Sequence, residues 1–265
     1  MVNAFSFCLY GPDNPRYYVG MRENVILINA FYPDWVIYAY LGSDVTEDMR
    51  EFLASYPNVR IRETGCTGEP NMIHRFYAID EPDVDLMMVR DADSRIHWKD
   101  RWAINQFLPQ TQFIAHTIRD NTEHKAPIMG GLWGLRKSSG LNIHAEYEAY
   151  KEDVSRGRYF GPDQNFLMDV IYPKVVDRLL AHYSNGRKRP IETAVEFPFA
   201  WSNDTYCGRV EVNRYVELPQ PPMKPKSLFP VALVRVRDAP APAPAPALPH
   251  LRGPPPNLLT FLNRK

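Results

Sequence analysis

The chain is poor in cysteine and in long apolar runs, and it carries no net charge. The three cysteines, Cys8, Cys66 and Cys207, are too few and too scattered for a disulfide framework or a Cys-x-x-Cys zinc site. No run of about 18 apolar residues occurs, so no transmembrane helix is predicted. Lysine and arginine (31 residues) balance aspartate and glutamate (31 residues), which argues against nucleic acid or an anionic membrane as a partner.

The opening stretch, MVNAFSFCLYG, has no basic leader and only a short apolar segment. It is not typical of a secretory signal, and scattered thiols fit a reducing compartment. We therefore expect a cytoplasmic protein without membrane insertion. With 265 residues and 45% hydrophobic content, the chain is long enough for an ordinary core in one domain, with or without an appendage.

The composition changes near residue 217. The segment 217–265 holds 13 of the 25 prolines, including the repeat APAPAPAPALP. Such repeats favour extended polyproline II, which has no internal hydrogen bonds and little surface to bury. We predict a domain over 1–216 and a poorly ordered, proline-rich linker or tail over 217–265. A docking segment for a proline-binding groove is the alternative.

Upstream of the tail, strand-like and helix-like segments alternate. In chain order they are NAFSFCLY (strand), PRYYVGMRENVILINAFY (helix), WVIYAYLG (strand), TEDMREFLASY (helix), NVRIRET (strand), PNMIHRFYAID (helix) and DLMMVR (strand). This alternation predicts an α/β fold with a mostly parallel central sheet flanked by helices. In such folds ligands bind beyond the carboxyl ends of the strands.

Two carboxylates directly follow the last of these strands. In LMMVRDADSRI, residues 86–96, Asp91 and Asp93 are separated by one residue, and side chains two apart share one side of an extended backbone. Paired oxygen donors suit Mn²⁺ or Mg²⁺, which commonly bind substrate phosphates as well. The spacing therefore favours a cation site for a diphosphate.

Two other interpretations of these aspartates stay open on spacing alone. Aspartate at a strand end also caps turns and helices, and DADSR precedes the helix-like IHWKDRWAINQFL. Alternatively, Asp91 is a phosphatase-type nucleophile. That class places the motif on its first strand, whereas three strand–helix units precede it here, and Arg95 stands where threonine or valine is expected.

The order of elements before Asp-x-Asp resembles the GT-A nucleotide-sugar glycosyltransferases. APIMGGLWGLRK looks like their glycine-containing acceptor-side strand, and FGPDQNFLMDVIY is similar to the Asp-Gln-Asp-x-x-Asn segment of the retaining GT8-like branch, with Asn165 at its third position. FSFCLYGPDNPRYY, NMIHRFYAID, VRDADSRI and IMGGLWG resemble segments of glycosyltransferases encoded by large algal (chlorella) DNA viruses. The resemblance covers roughly residues 4–210.

This resemblance implies a metal-dependent hexosyltransferase of the GT-A type, with Mn²⁺ or Mg²⁺ as cofactor. It implies transfer from a nucleotide sugar, with a UDP-sugar favoured and retention preferred, to a glycan or glycoprotein acceptor. A viral origin would imply a capsid glycan and the host cytoplasm. Two alternatives remain. One is a hydrolase or pyrophosphorylase, although FCLYGPDNP is not a glycine-rich phosphate loop; the other is a non-catalytic glycan- or nucleotide-sugar-binding module or virion structural module.

Donor binding is expected at the end of the first strand. Gly11 would let the backbone approach the nucleotide, and Tyr10 or Tyr18 would offer a ring face; an ordinary turn is the alternative for Gly11. The resemblance implies that the helix carrying Arg75 faces the nucleotide, where the guanidinium would pair with phosphate or a base carbonyl. A surface salt bridge is the alternative for Arg75.

The metal and catalytic residues are expected nearby. Asp93 is predicted to bind the cation directly, and the resemblance makes Asp91 a second ligand or a partner of the ribose hydroxyls. Arg90, expected beside the donor, and Arg95 flank both acids and would neutralise them when metal is absent. Asp163, after a Gly-Pro pair, would hold donor hydroxyls or act as base or nucleophile; a first-turn helix aspartate is the alternative.

Several further positions have two interpretations each. A late histidine completes the metal shell in the GT8-like branch, which points to His182, with His116 and His124 as competitors and a structural histidine as the alternative. Two glycines, Gly130 and Gly131, would admit backbone close to the sugar. The other positions are Trp133, which stacks on sugar or packs in the core, and the basic stretch NGRKRP (185–190), which closes over the diphosphate or forms a solvated turn.

Overall fold

One eight-stranded sheet organises the residues that the structure, a computed structural model, describes: 1–152, 161–185 and 188–210. The strands are β1 Val2–Leu9, β2 Val36–Leu41, β3 Val59–Glu63, β4 Val84–Arg90, β5 Ala115–Arg119, β6 Leu132–Arg136, β7 Leu179–Tyr183 and β8 Thr193–Glu196. Their order is β3-β2-β1-β4-β6-β5-β7-β8, and only β6 runs antiparallel to its neighbours. This confirms the predicted α/β fold with a mostly parallel central sheet.

Helices connect and flank these strands. The α-helices are α1 Pro15–Phe31, α2 Glu47–Ala54, α3 Trp98–Phe107, α4 Ile143–Glu152, α5 Pro162–Phe166 and α6 Tyr172–Val175. A π-helical turn, Leu167–Ile171, joins α5 to α6, and the 3₁₀ segments are Glu69–Asp80, Lys137–Ser139 and Val176–Arg178. Within the described ranges, no helix has the length and apolar character needed to cross a membrane.

The described residues all belong to one compact unit of the chain. The predicted domain boundary at residue 216 and the predicted tail over 217–265 lie outside the described ranges. Both therefore stay predictions.

The sheet is buried on both faces, which explains the continuous apolar runs of its strands. In β1, Phe5, Phe7 and Leu9 pack into the core on one face, and Ala4 and Cys8 pack into the core on the other. Side chains alternate along a strand, so every residue of such a run is covered by one of the two helical layers.

The stretch predicted as the third helix is a 3₁₀ segment, Glu69–Asp80. Its buried residues Ile73, Phe76 and Ile79 recur every third position. A 3₁₀ helix has three residues per turn, so this spacing places them on one buried face. Arg75 lies within the segment and is carried toward the carboxyl edge of the sheet.

Helix α1 starts directly beside the loop that follows β4. Pro15 occupies its first turn, where no backbone donor is needed, and the Asn14 side chain accepts a hydrogen bond from the Arg16 amide at 3.1 Å. Gly20 faces the Ala92 carbonyl so closely that a Cβ there would overlap it. The missing side chain lets α1 pack against the Asp-x-Asp loop.

A buried ion pair holds the last described segment against the sheet. Lys99 Nζ lies 2.7 Å from Asp120 at the end of β5, and both side chains are fully buried. Asp120 also accepts from the Cys207 amide at 2.9 Å, and its carbonyl accepts from Trp201 Nε1 at 2.8 Å. Removing either charged partner would leave the other buried without its counter-ion.

Candidate active site

A cleft of about 640 Å³ opens at the carboxyl ends of β1 and β4. These strands are parallel neighbours, so the loops that follow them meet at one edge of the sheet. The lining residues are Cys8, Leu9, Tyr10, Gly11, Pro12, Asp13, Asn14, Pro15, Tyr17, Met72, Arg75, Asp91, Ala92 and Asp93. The Asp-x-Asp pair therefore forms part of the wall of a cleft large enough for a small-molecule ligand.

Each aspartate of the pair is held by a different arginine. Asp91 Oδ1 accepts from Arg75 Nη1 at 2.5 Å. Asp93 Oδ2 accepts from Arg16 Nε at 2.8 Å and from Arg16 Nη2 at 2.5 Å. Burial and the neighbouring Asp91 carboxylate raise the pKa of Asp93, and Arg16 opposes that rise.

Arg75 also binds a third carboxylate. Its Nη2 donates to Asp163 Oδ2 at 2.8 Å, and both side chains are buried. Burial acts to lower the pKa of Arg75, but the Asp91 and Asp163 carboxylates outweigh it and raise that pKa above its ordinary value. Arg75 is therefore not a surface salt bridge, and it links the end of β4 to the first turn of α5.

The turn before β6 closes the site from the other side. Gly131 faces Asp91 so closely that a Cβ would overlap its carboxylate. The Gly130 amide donates to Gln164 Oε1 at 3.0 Å, and Gln164 Nε2 donates to the Ile128 carbonyl at 2.6 Å. Gln164 thereby ties this glycine turn to the helix that carries Asp163.

Tyr10 and Gly11 line the cleft, as the sequence predicts, but Tyr18 does not. Gly11 has φ +82°, a conformation that glycine adopts readily, and burial raises the pKa of Tyr10 to about 12. Tyr18 is buried in the core; its hydroxyl donates to the Gly11 carbonyl at 2.9 Å and accepts from the Thr46 amide at 3.1 Å. Tyr18 therefore supports the Gly11 turn and presents no ring face to the cleft.

The prediction that Arg90 and Arg95 neutralise the aspartates is wrong. Arg90 is buried, and its Nε and Nη2 donate to Asp100 Oδ1 at 3.0 and 2.7 Å. Arg95 pairs with Glu23. Neighbouring side chains on a strand point to opposite faces, so Arg90 at the end of β4 turns away from Asp91. For the same reason Arg90 takes no part in the lining of the cleft.

Arg16 performs the neutralising role that Arg90 and Arg95 were expected to have. Nothing in the sequence around Arg16 marks it for this role, although GPDNPRYY places it in the first helical turn after β1. That turn lies at the sheet edge where Asp91 and Asp93 also lie. Gln164 was likewise missed as the residue that holds the glycine turn.

Of the two interpretations of the histidines, their positions support the structural one. His182 is buried on β7, with Nδ1 2.9 Å from Nε2 of His116 on β5. In the sheet, β6 separates β5 from β4, and β6 and β5 together separate β7 from β4. His124 Nδ1 accepts from the Asp120 amide at 3.0 Å. In the described part of the chain, no three His, Cys, Asp or Glu side chains form a metal-binding group.

The remaining predicted residues have structural surroundings. Trp133 is fully buried and packs edge-on against Phe76, so the core interpretation holds and stacking on sugar does not. In the basic stretch, positions 186 and 187 lie outside the described ranges, and Arg189 donates to the Lys125 carbonyl at 2.6 Å.

The donor set of the aspartate pair fits a hard divalent cation. One oxygen of each carboxylate is bound by an arginine, Asp91 Oδ1 by Arg75 and Asp93 Oδ2 by Arg16, and both carboxylates line the cleft. Two carboxylate oxygens beside an open cleft suit Mg²⁺ or Mn²⁺, which take their other ligands from water and substrate phosphates.

Comparison with known proteins gives structural likeness only. No family model and no curated protein matches the sequence. A glycosyltransferase involved in glycosylation of the major capsid of PBCV-1 is similar in structure, with TM-score 0.47 and 14% identity over 69% of this chain and 82% of that chain.

Two further solved structures are similar to a comparable degree. The 4-diphosphocytidyl-2C-methyl-D-erythritol synthase of Anaerococcus prevotii has TM-score 0.46 and 10% identity, covering 72% of this chain and 91% of its own. The galactosyltransferase LgtC, in complex with donor and acceptor sugar analogs, has TM-score 0.41 and 15% identity, covering 62% and 70%. The chemistry of the site therefore has to be inferred from its own residues.

Proposed function

We propose that the protein is a metal-dependent glycosyltransferase of the GT-A type that moves a sugar from a nucleoside-diphosphate sugar to a glycan or glycoprotein acceptor. The observation that carries this proposal is that Asp91, Asp93 and Arg75 line one cleft at the carboxyl edge of the sheet, with Arg16 bound to Asp93 and Asp163 bound to Arg75 just behind its wall. Such a group combines oxygen donors for a cation with cationic donors for phosphate.

The residues divide by position along the cleft. Tyr10 and Gly11, at the end of β1, would contact the base and ribose, and the aspartate pair would hold Mn²⁺ or Mg²⁺. A bound cation supplies charge neutralisation for a departing diphosphate. Tyr10, Gly11 and the aspartate pair line the same cleft, which supports a single ligand that reaches from the base to the diphosphate.

Asp163 would act on the sugar end of the donor. Its carboxylate is buried and already accepts from Arg75, so it is fixed in place as an acceptor for donor hydroxyls. We assign Asp163 a role in holding the sugar and reserve the base or nucleophile role for a group on the acceptor side.

Three finer parts of the proposal rest on the sequence resemblance. They are a UDP-sugar as the donor, retention at the anomeric carbon, and a viral capsid glycan as the acceptor in the host cytoplasm. The Asp-Gln pair at the start of α5 supports retention through its likeness to the GT8-like branch. The anomeric configuration of the product, read by NMR from the coupling constant of its anomeric proton, tests that part directly.

Calorimetric titration of UDP and UDP-glucose tests the main proposal. Each ligand is titrated in the presence of Mn²⁺ and of EDTA, into wild type and Asp93→Ala. Asp48→Asn is the matched control, because Asp48 is 84% exposed and far from the acidic pair in sequence. We expect binding that requires Mn²⁺, disappears in Asp93→Ala and is unchanged in the control.

The same titration, extended to GDP and to a glycan and accompanied by an assay of released sugar, separates the alternatives. Binding of UDP without any cation requirement would contradict a metal-diphosphate site. Binding of a glycan alone, with no nucleotide binding for UDP or GDP, would point to the non-catalytic module. Metal-dependent release of free sugar from UDP-glucose without any acceptor transfer would favour the hydrolase.

A further inference from the structure

The two arginines that neutralise the aspartate pair differ in how firmly they are held. The Arg75 side chain is 8% exposed and is fixed by Asp91 and Asp163 together. The Arg16 side chain is 46% exposed, and its guanidinium donates to Asp93 alone among the described residues. The ion pair at Asp93 is therefore the one that can open by rotation of a single side chain.

The Arg16 guanidinium is bound to the same carboxylate that would hold the cation. Arg16 Nε and Nη2 both donate to Asp93 Oδ2, so this oxygen is already paired with one full positive charge. A divalent cation on the same carboxylate would lie a few ångströms from that guanidinium, and like charges at such separations repel strongly at the edge of a protein. The cation and Arg16 therefore compete for Asp93.

The charge balance of the site decides what relieves this competition. Three carboxylates, Asp91, Asp93 and Asp163, face two guanidiniums, so the group carries one net negative charge. Adding a divalent cation reverses the sign of the charge on this group and weakens the attraction between Asp93 and Arg16. A diphosphate restores the balance, because its oxygens accept hydrogen bonds from both the cation shell and a guanidinium.

We propose that Arg16 is an internal counter-ion that holds Asp93 until a nucleoside diphosphate and a divalent cation bind together, and that it then turns from Asp93 to the diphosphate. This inference rests on the proposed function. The backbone of Arg16 does not need to move, because its amide is held by Asn14 in the first turn of α1. The consequence is cation binding that is weak alone and tight with nucleotide.

Mn²⁺ binding measured by water-proton relaxation tests this role without any activity assay. Mn²⁺ is titrated into wild type, Arg16→Gln and Arg16→Lys, first alone and then with UDP. Arg22→Gln is the control, since Arg22 lies on the same helix and pairs with the exposed Asp48. Circular dichroism of each variant establishes that α1 is folded.

We expect Arg16→Gln to tighten the binding of Mn²⁺ alone by about five-fold and to weaken UDP binding with Mn²⁺ by a similar factor, which is the scale of one partly exposed ion pair. Arg16→Lys has a single ammonium in place of the planar guanidinium, so its affinities should lie between those of wild type and Arg16→Gln. Arg22→Gln should match wild type.

Two results would overturn the inference, and they are distinguishable. If Arg16→Gln leaves both affinities unchanged while Asp93→Asn abolishes Mn²⁺-dependent UDP binding, Arg16 is not the counter-ion and the proposed function stands. If wild type binds neither UDP nor GDP in the presence of Mn²⁺, the proposed metal-diphosphate site fails, and the role of Arg16 fails with it.

Discussion

Arg75 and Asp163 are 88 residues apart in the chain, yet Arg75 Nη2 lies 2.8 Å from Asp163 Oδ2 and both side chains are buried. The same guanidinium holds Asp91 through its other terminal nitrogen. One side chain thus sets the distance between the carboxylate expected at the diphosphate and the carboxylate expected at the sugar. Its buried Nε has no hydrogen-bond partner in the described part of the chain.

Replacing Arg75 with methionine should destabilise the fold. Asp163 would remain buried without a counter-ion, and breaking such a pair costs about 3 kcal/mol. Urea unfolding of Arg75→Met measures the free energy of unfolding. The double variant Arg75→Met, Asp163→Asn should recover part of the loss, because no buried charge is left on α5. Strictly additive losses would contradict the coupling.

Neutralising either member of the aspartate pair should weaken nucleotide binding. Asp91→Asn and Asp93→Asn keep the size of each side chain but remove the negative charge that a cation needs. Loss of groups that only orient metal ligands already costs 10- to 100-fold in affinity, so we expect about 100-fold here. Calorimetric titration of UDP in the presence of Mn²⁺ measures this affinity. Equal affinity in both variants and wild type would remove the pair from the site.

Gly131→Ala should impair binding while the fold survives. The added Cβ overlaps the Asp91 carboxylate, which is 42% exposed and can move away, so the loss of unfolding free energy should stay near or below about 1 kcal/mol. Displacing Asp91 should lower Mn²⁺-dependent UDP affinity. In an Asp91→Asn background, the same substitution should cause little further loss. Full additivity would show that Gly131 acts independently of Asp91.

The buried histidine pair should make the protein sensitive to acid. Burial lowers the pKa of His182 to about 3, and burial together with His182, Arg90 and Arg136 lowers the pKa of His116 well below its ordinary value. Both imidazoles are therefore neutral in the folded protein, while in the unfolded chain they take up protons below pH of about 6.5. The unfolded state binds more protons in that range, so stability falls as the pH falls.

The slope of the unfolding free energy against pH is measurable. Each histidine contributes about 1.4 kcal/mol per pH unit between pH of about 6 and pH of about 4, where the unfolded form is protonated and the folded form is not. Urea unfolding across this range gives the slope for wild type. The double variant His116→Gln, His182→Gln should have a smaller slope of unfolding free energy against pH. His144→Gln is the control, because His144 is exposed. An unchanged slope in the double variant would assign the acid sensitivity to other groups, among them His74 and His97, whose pKa burial also lowers.

The elements with strong local signals were predictable. The alternation of apolar strands and amphipathic helices indicated the parallel sheet, and Pro15 with Asn14 marks the start of α1 in the sequence itself. The placement of Asp91 and Asp93 at a carboxyl edge followed from their position after an apolar strand. By contrast, PNMIHRFYAID predicts a helix without fixing its type, and the three-residue spacing of Ile73, Phe76 and Ile79 matches the 3₁₀ segment found there.

The partners of the charged residues were not predictable in the same way. Arg90 and Arg95 are near the aspartates in sequence, but strand alternation and packing turn them toward Asp100 and Glu23. Arg16 is 77 residues from Asp93 and binds it, because β1 and β4 are neighbours in the sheet. Proximity along the chain was a poor guide to ion pairing.

By itself the sequence determined the alternating strands and helices, the acidic pair at the end of β4 and the first turn of α1, because periodicity, strand ends and helix caps are local properties. Only the tertiary structure decided that Arg16 and Arg75 hold the acids, that Arg75 reaches Asp163, and that His116 and His182 pair in the core. Those contacts depend on strand order and on which helix packs beside which loop, and both are set by the burial of residues far apart in the chain.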